Sequence, residues 1–347
     1  MDLAKIVKLG LEEYHKDKFD EALKLFKKAL PKAANNRDKG IIYRNIGLCH
    51  YSQNNWTAAQ LNFKKSVELG HQIAQWELCL SLLQSGDPDG MKLYSSRYSG
   101  DKNTFPDLPI KKITTLEDIQ KANKILVLNE QGLGDEILFS RGLKLLKGKE
   151  FSWQVYPEML ELFKDSFSGN FFHERTLTSK FVLDHDYWIP NGDLFKMVTL
   201  SGDYSHVPIS KNEKGKKGHV GICFSSNPKS TIAQKKSVHY DVLKKIVSNF
   251  NNINWVSLQY GFHLDFAENP VIENFLDTKR IIDQLDLVIT VDTAVANLAA
   301  AMNKKIILLI NDYIDWRWEL GLWQGDIQMC RIEELEQKLE AYCLVAC

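Results

Sequence analysis

Four loops in this sequence stand where an apolar run ends, and each holds residue types that do chemistry. In NEQGLGDEI, Asp135 follows Gly132 and Gly134, between the runs KILVLN and ILFSRGLKLL. Glycines permit positive φ and close backbone approach. An Asp opening a helix is either a cap or a carboxylate that takes a proton in a cleft. The helix terminus holds such a carboxylate ionised, which makes it a weaker base. In VITVDTAVANLAAAM, an apolar run ends at Asp292-Thr293 and a small-residue helix begins. Its free N–H groups and positive dipole end suit a diphosphate, with the Thr293 hydroxyl and Asn297 pointing the same way. Plain capping by Asp292 or Thr293 is the alternative. In CFSSNPKS, the run HVGICF ends in a loop with Ser225, Ser226, Asn227 and Lys229, whose ammonium would neutralise a phosphate. In VSLQYG, Gln259 follows a strand end and would meet a base or ribose.

The elements around these loops alternate between short β-branched runs and helical ones from about residue 121 onward. That alternation argues a parallel sheet with crossover helices. The basic stretch KNEKGKKG (Lys211 to Gly218) splits it into two Rossmann-like halves. Two such halves enclose a cleft lined by the carboxyl ends of their strands, where ligands bind in open α/β sheets. The GLGD turn lacks the full G-x-G-x-x-G spacing, which disfavours NAD. No HExxH-type spacing and no GxSxG elbow appears.

The front of the chain repeats itself. LGLEEYHKDKFDEALKLFKKAL (Leu9 to Leu30) aligns with IGLCHYSQNNWTAAQLNFKKSV (Ile46 to Val67) at a constant offset. Gly10 matches Gly47, Tyr14 matches Tyr51, Phe19 matches Trp56, Ala22 matches Ala59 and Phe26 matches Phe63. Small residues where helices cross and large ones around them describe stacked helical hairpins. A degenerate third unit is read in IAQWELCLSLLQSGDPDGMKLYSSRY. The resulting fold class is an α-helical array followed by two Rossmann-like α/β domains. The boundaries are 1–98 for helical repeats, 99–120 for a connector with a short helix at LEDIQKA, 121–212 for the first α/β half, and 213–347 for the second with a terminal helix.

Lys plus Arg (44) cancels Asp plus Glu (44) over 347 residues, so no global field draws the chain to nucleic acid or an anionic membrane. The first residues, MDLAKIVKLGLEEYHK, are charged throughout and lack a signal core, and no apolar window is long enough to span a membrane. A cytoplasmic location with reduced cysteines is expected.

The order EQGLGD, SSNPK, VSLQ, LDLVITVDT and DWRWELG resembles the bacterial glycosyltransferases of the heptosyltransferase type, family 9, in the branch with tetratricopeptide repeats in front. The resemblance covers most of residues 1–331. It implies the GT-B fold, a nucleotide-diphosphate sugar held mainly by the C-terminal half, and metal-independent transfer to an acceptor entering from the N-terminal half; the expected step is a single inverting displacement by an acceptor hydroxyl. By position it implies that Asp135 is the catalytic base, that Lys229 neutralises phosphate, and that Asp292 and Thr293 bind the donor. The repeats imply either a protein partner or a packing appendage that caps a neighbouring domain without a ligand of its own. The sequence departs from that family in having Asn297-Leu298-Ala299-Ala300-Ala301 where His-Leu-Ala-Gly-Ala is usual, and Trp323-Gln324 where Trp-Tyr is usual. These departures motivate a rival reading, an inactive scaffold; an epimerase on the same fold is another. Asp184-His185-Asp186 reads like a DxD metal motif, yet it leads into YWIPNGDL, which matches the family's Asp-x-x-x-Pro segment. Neither metal nor cofactor is expected.

Overall fold

The repeat offset of the sequence is also an offset of backbone structure. The computed structural model describes residues 1–98, 105–209, 215–227, 233–311, 314–323 and 325–346. Its helical unit comprises residues 1–107 with 316–320. Helices α1 (Leu3–Tyr14) and α2 (Phe19–Ala29) form one hairpin, and α3 (Asn36–Ser52) and α4 (Trp56–Glu68) form the next. A Cβ on Gly10 would lie 2.6 Å from the ring of Phe26, and one on Gly47 would lie 2.6 Å from the ring of Phe63. Asp17 and Asn54 occupy equivalent turns, and both take the left-handed conformation at φ 58°. Tyr14 packs on Phe19 with ring centroids 5.5 Å apart, and Tyr51 on Trp56 at 5.1 Å. Helix α5 (Ala74–Gln84) then packs on a 3-10 run, Pro88–Tyr98, after a turn with Gly86 at φ +80°. Trp316 from the returning segment meets Tyr94 edge-on at 6.1 Å.

This close crossing gives a direct expectation. Gly47→Ala drives a methyl group into the fully buried Phe63 ring, which has nowhere to retreat. Overpacking costs about 1–3 kcal/mol, against a helix-propensity gain of roughly 0.5–1 kcal/mol. A urea melt followed by circular dichroism should therefore show net destabilisation, and Gly10→Ala should behave alike.

The second unit, residues 108–315 with 321–347, holds two parallel five-stranded sheets. In the first half, β1 (Lys111–Lys112), β2 (Lys124–Leu128), β3 (Glu150–Gln154), β4 (Asn170–Phe172) and β5 (Tyr187–Pro190) line up in the order β1-β5-β2-β3-β4. Their helices are α6 (Leu116–Lys121), α7 (Leu133–Phe139), α8 (Leu160–Ser166), α9 (Ser179–Leu183) and α10 (Asn191–Leu200). In the second half, β6 (Lys216–Cys223), β7 (Asn254–Ser257), β8 (Leu285–Val291), β9 (Ile306–Leu309) and β10 (Ile327–Cys330) take the order β10-β9-β8-β6-β7. The helices there are α11 (Ala233–Lys236), α12 (Tyr240–Val247), α13 (Phe275–Asp283), α14 (Ala294–Ala301) and a terminal helix, Leu335–Ala346. Central strands such as ILVL in β2 and LVITV in β8 are buried throughout, as strands covered on both faces must be.

Two local expectations give way to the structure. The stretch 99–120 is expected to be a connector with one helix; α6 is that helix, but Lys111–Lys112 pairs with Tyr187–Trp188 as an edge strand of the first sheet. The run FVLDHDYWI reads in sequence as another of the short β-branched runs, hence one strand, but its front half is α9, capped by Thr178, and only its back half enters the sheet. Among the described residues, no helix is long and apolar enough to cross a membrane.

Candidate active site

Each sheet has a point where strand order reverses, and crevices open there at the carboxyl ends of the strands. In the first sheet that point lies between β2 and β5, and in the second between β6 and β8. The loop after β2 is NEQGLGD, and the loop after β8 is Asp292-Thr293. Glu130 closes the first crevice, its Oε1 accepting from the Gly192 N–H at the start of α10 at 3.2 Å. In the second, the Thr293 hydroxyl lies 3.9 Å from the Cys223 thiol at the end of β6 and 3.4 Å from the Thr290 hydroxyl.

The two crevices meet at Gly134. A Cβ there would lie 2.9 Å from Asn297 Nδ2 and 3.5 Å from the Ala294 Cα, so only glycine lets α7 lie against the amino end of α14. Gly134 thus serves the expected close approach, while the expected positive φ lies elsewhere in the loop. Neither glycine takes it; Gln131 does, at φ 62°, with its carbonyl accepting from the Tyr156 hydroxyl. Gly132 caps α7 in extended backbone, and Asp135 sits at the third helical position, not at the cap. The Asp135 carboxylate accepts from the Gly132 N–H at 3.1 Å, which fixes its direction at the junction of the halves.

The other expected donor residues fall around α14 as follows. Thr293 caps the helix without a side-chain hydrogen bond of its own to it. Asn297 is buried; its Nδ2 donates to the Thr293 carbonyl at 2.9 Å and its Oδ1 accepts from Trp323 Nε1 at 3.0 Å. It thus ties α14 to Trp323, and its side chain is engaged there. Gln259 is engaged by backbone in the same way, its Oε1 accepting from the N–H groups of Phe224 at 3.1 Å and Ser225 at 3.0 Å. It shapes the loop after β6. The Ser226 N–H donates to the Ser237 hydroxyl at 3.0 Å, and Asn227 is exposed. Lys229 lies outside the described residues.

A second lysine, overlooked in the sequence, reaches the loop before α14. Lys236 at the end of α11 forms an ion pair with Asp292 Oδ2 and lies 3.8 Å from Asp315 Oδ2. All three side chains are mostly buried. Asp292 and Lys236 are thus tied together beside the start of α14. KSTIAQKKS holds three lysines, and spacing alone does not tell which one returns to the helix start.

Directly after Asp135, Glu136 is wholly buried beneath the loop. Its Oε2 accepts from the Tyr156 N–H at 3.1 Å, while Oε1 has no partner. Burial pushes its carboxyl up to about 8. The folded state thus keeps a proton that the unfolded chain has released, and stability falls with rising pH between the ordinary Glu range and about 8. Its contribution to the slope approaches about 1.4 kcal/mol per pH unit. Glu136→Gln should flatten the pH dependence of the unfolding midpoint in that window and raise the midpoint at pH 8. An unchanged slope would show that the group is solvated.

Asp184-His185-Asp186 lies at the amino ends of the strands, away from both crevices. Asp184 pairs with Lys124 at 2.6 Å, and Asp186 accepts from the N–H groups of Asn123 and Lys124. His185 is buried between the Phe181 carbonyl and the Ser152 hydroxyl. Among the described residues, no three His, Cys, Asp or Glu side chains gather in a metal-holding group. A hollow of about 700 Å³ lined by Lys147, Phe151, Phe167 and Asn170 also opens at the amino ends, beside β3 and β4, remote from these loops.

No family model matches the chain, and no curated protein matches it. Among solved structures, it is similar to the E. coli heptosyltransferase WaaC with ADP, at 10% identity and a TM-score of 0.47, covering 63% of this chain and 99% of that one. It is similar to E. coli ADP-heptose LPS heptosyltransferase II at 11% identity and a TM-score of 0.47, covering 64% and 99%. The dodecameric iron-containing heptosyltransferase TibC, in complex with ADP-D-beta-D-heptose, follows at 9% identity and a TM-score of 0.44, covering 66% of each chain. All three stay below a TM-score of 0.5 and are likenesses of chain course, which carry no argument about activity.

Proposed function

We propose that this chain is a glycosyltransferase that moves a sugar from a nucleotide-diphosphate donor to an acceptor hydroxyl. One observation carries the reading: Gly134 lets the loop bearing Asp135 lie against the start of α14, so a carboxylate and a helix N-terminus share one junction. The acceptor oxygen attacks the anomeric carbon in a single inverting displacement as its proton passes to Asp135. The bond from that carbon to the diphosphate oxygen breaks, and the charge left on the diphosphate faces the α14 N–H groups, Thr293 and the lysines of the 229–236 segment. Prearranged donors of this kind are usually the larger catalytic term. The step needs no metal in this reading, and the helical repeats, tetratricopeptide-like in pattern, offer a surface for a protein partner or acceptor.

Calorimetry with a panel of nucleotide sugars, followed by a hydrolysis assay, tests the proposal. Binding of at least one donor with slow hydrolysis is expected. Binding to none would leave a scaffold, and inversion of a sugar centre without an acceptor would mark an epimerase.

A further inference from the structure

Beyond Asp135 and α14, the junction holds a buried cation with no ion-pair partner among the described residues. Arg141, on the 3-10 run Ser140–Leu146 that continues α7, is 1% exposed. Its Nη2 donates to the Leu322 carbonyl, but Nε and Nη1 are buried and have no acceptor. Those two nitrogens carry three N–H bonds. The guanidinium lies 4.7 Å over the ring of Trp323, and the ring of His206 lies 5.9 Å from the same indole. His206 Nε2 is likewise buried without a partner. Asp203, the acid whose field reaches Arg141, is itself held by Lys144 at 2.8 Å and by the Ser205 hydroxyl at 2.6 Å. No acid among the described residues forms an ion pair with Arg141.

A buried guanidinium with two of its nitrogens short of acceptors is a costly feature for a fold to hold. Burial and the fields of Arg141 and Lys144 also hold the His206 imidazole below its ordinary range. The pocket is positive, walled by an aromatic face, and short of acceptors. We propose that Arg141, His206 and Trp323 form a binding site for an oxyanion, a carboxylate or phosphate group that supplies the missing acceptors. The site is closed in this structure, so entry of the anion displaces the Leu322–Trp323 segment. Because Trp323 also donates to Asn297, which holds the Thr293 carbonyl, anion entry is coupled to the start of α14. The proposal does not depend on the transferase reading.

The test uses the full chain without nucleotide, titrated with sodium acetate and separately with sodium phosphate while the thermal midpoint is read. A saturable rise is expected with one or both anions; acetate alone assigns a carboxylate, phosphate alone a phosphate, and both a site for either group. Arg141→Met should weaken the apparent anion affinity by roughly tenfold to a hundredfold, the loss of hydrogen bonds to a charged group. It should also leave the anion-free midpoint unchanged or raised, since it removes a buried charge with no ion-pair partner among the described residues. His206→Ala should weaken the response less. An equal rise in Arg141→Met, no saturable rise in the unaltered chain, or an anion-free loss of stability or folding in Arg141→Met would each overturn the proposal.

Discussion

Asp135→Asn should lower transfer turnover by about a hundredfold to ten-thousandfold, the range that general base help supplies, while donor affinity stays nearly constant. The amide is an informative replacement because it keeps an acceptor oxygen. The bond from the Gly132 N–H therefore survives, and with it the helix start that rests on α14 through Gly134. Only proton affinity is removed. Asp135→Ala would delete that hydrogen bond as well and mix chemistry with loop geometry. The decisive pair of measurements is kcat with a productive donor and acceptor, and calorimetric donor Kd. Turnover within a few-fold of the unaltered chain would remove Asp135 from the role of base. A parallel collapse of donor affinity would instead make it a ligand contact.

How far the sequence can be read depends on whether each signal is local. The runs ILVL and LVITV announce buried parallel strands because their residues are apolar without alternation, and they lie at the centres of the two sheets. The paired Gly10–Phe26 and Gly47–Phe63 crossings are legible because a helical hairpin must place a small residue opposite a large one at a fixed spacing. Strand Lys111–Lys112 is not legible, since two lysines carry no strand signal and only their partner, Tyr187–Trp188, makes them one. At the candidate site, glycine in sequence suggests positive φ or a close approach, but which helix approaches Gly134 is not legible, since it lies distant in sequence. The left-handed residue is Gln131, whose carbonyl is held by Tyr156, a residue on another strand's loop. Gln259 and Asn297 resemble ligand contacts because they are polar and follow strand ends. Their partners, the Phe224–Ser225 backbone and Trp323, lie far along the chain. Arg141 gives no signal at all, because an arginine in an amphipathic run reads as solvated until its neighbours are known.

The same distinction makes Lys236 the sharpest test of the donor side. Lys236→Met keeps the aliphatic stem but removes the cation that Asp292 and Asp315 share. A nucleotide diphosphate would then meet two carboxylates in a mostly buried crevice, with like charges replacing a charge-assisted hydrogen bond. Nucleotide diphosphate affinity should fall by about a hundredfold or more, from the lost bond to a charged group together with the new repulsion. Asp292→Asn should act in the opposite direction: it loosens the ammonium from its ion pair and lets it turn to the ligand, so affinity holds or tightens. Opposite signs from two partners of one ion pair cannot come from general loss of folding, which would weaken binding in both variants. If Lys236→Met binds nucleotide as the unaltered chain does, the cation of this crevice is Lys229 or another group. If the unaltered chain binds no nucleotide diphosphate, the glycosyltransferase reading itself falls, whatever the variants do.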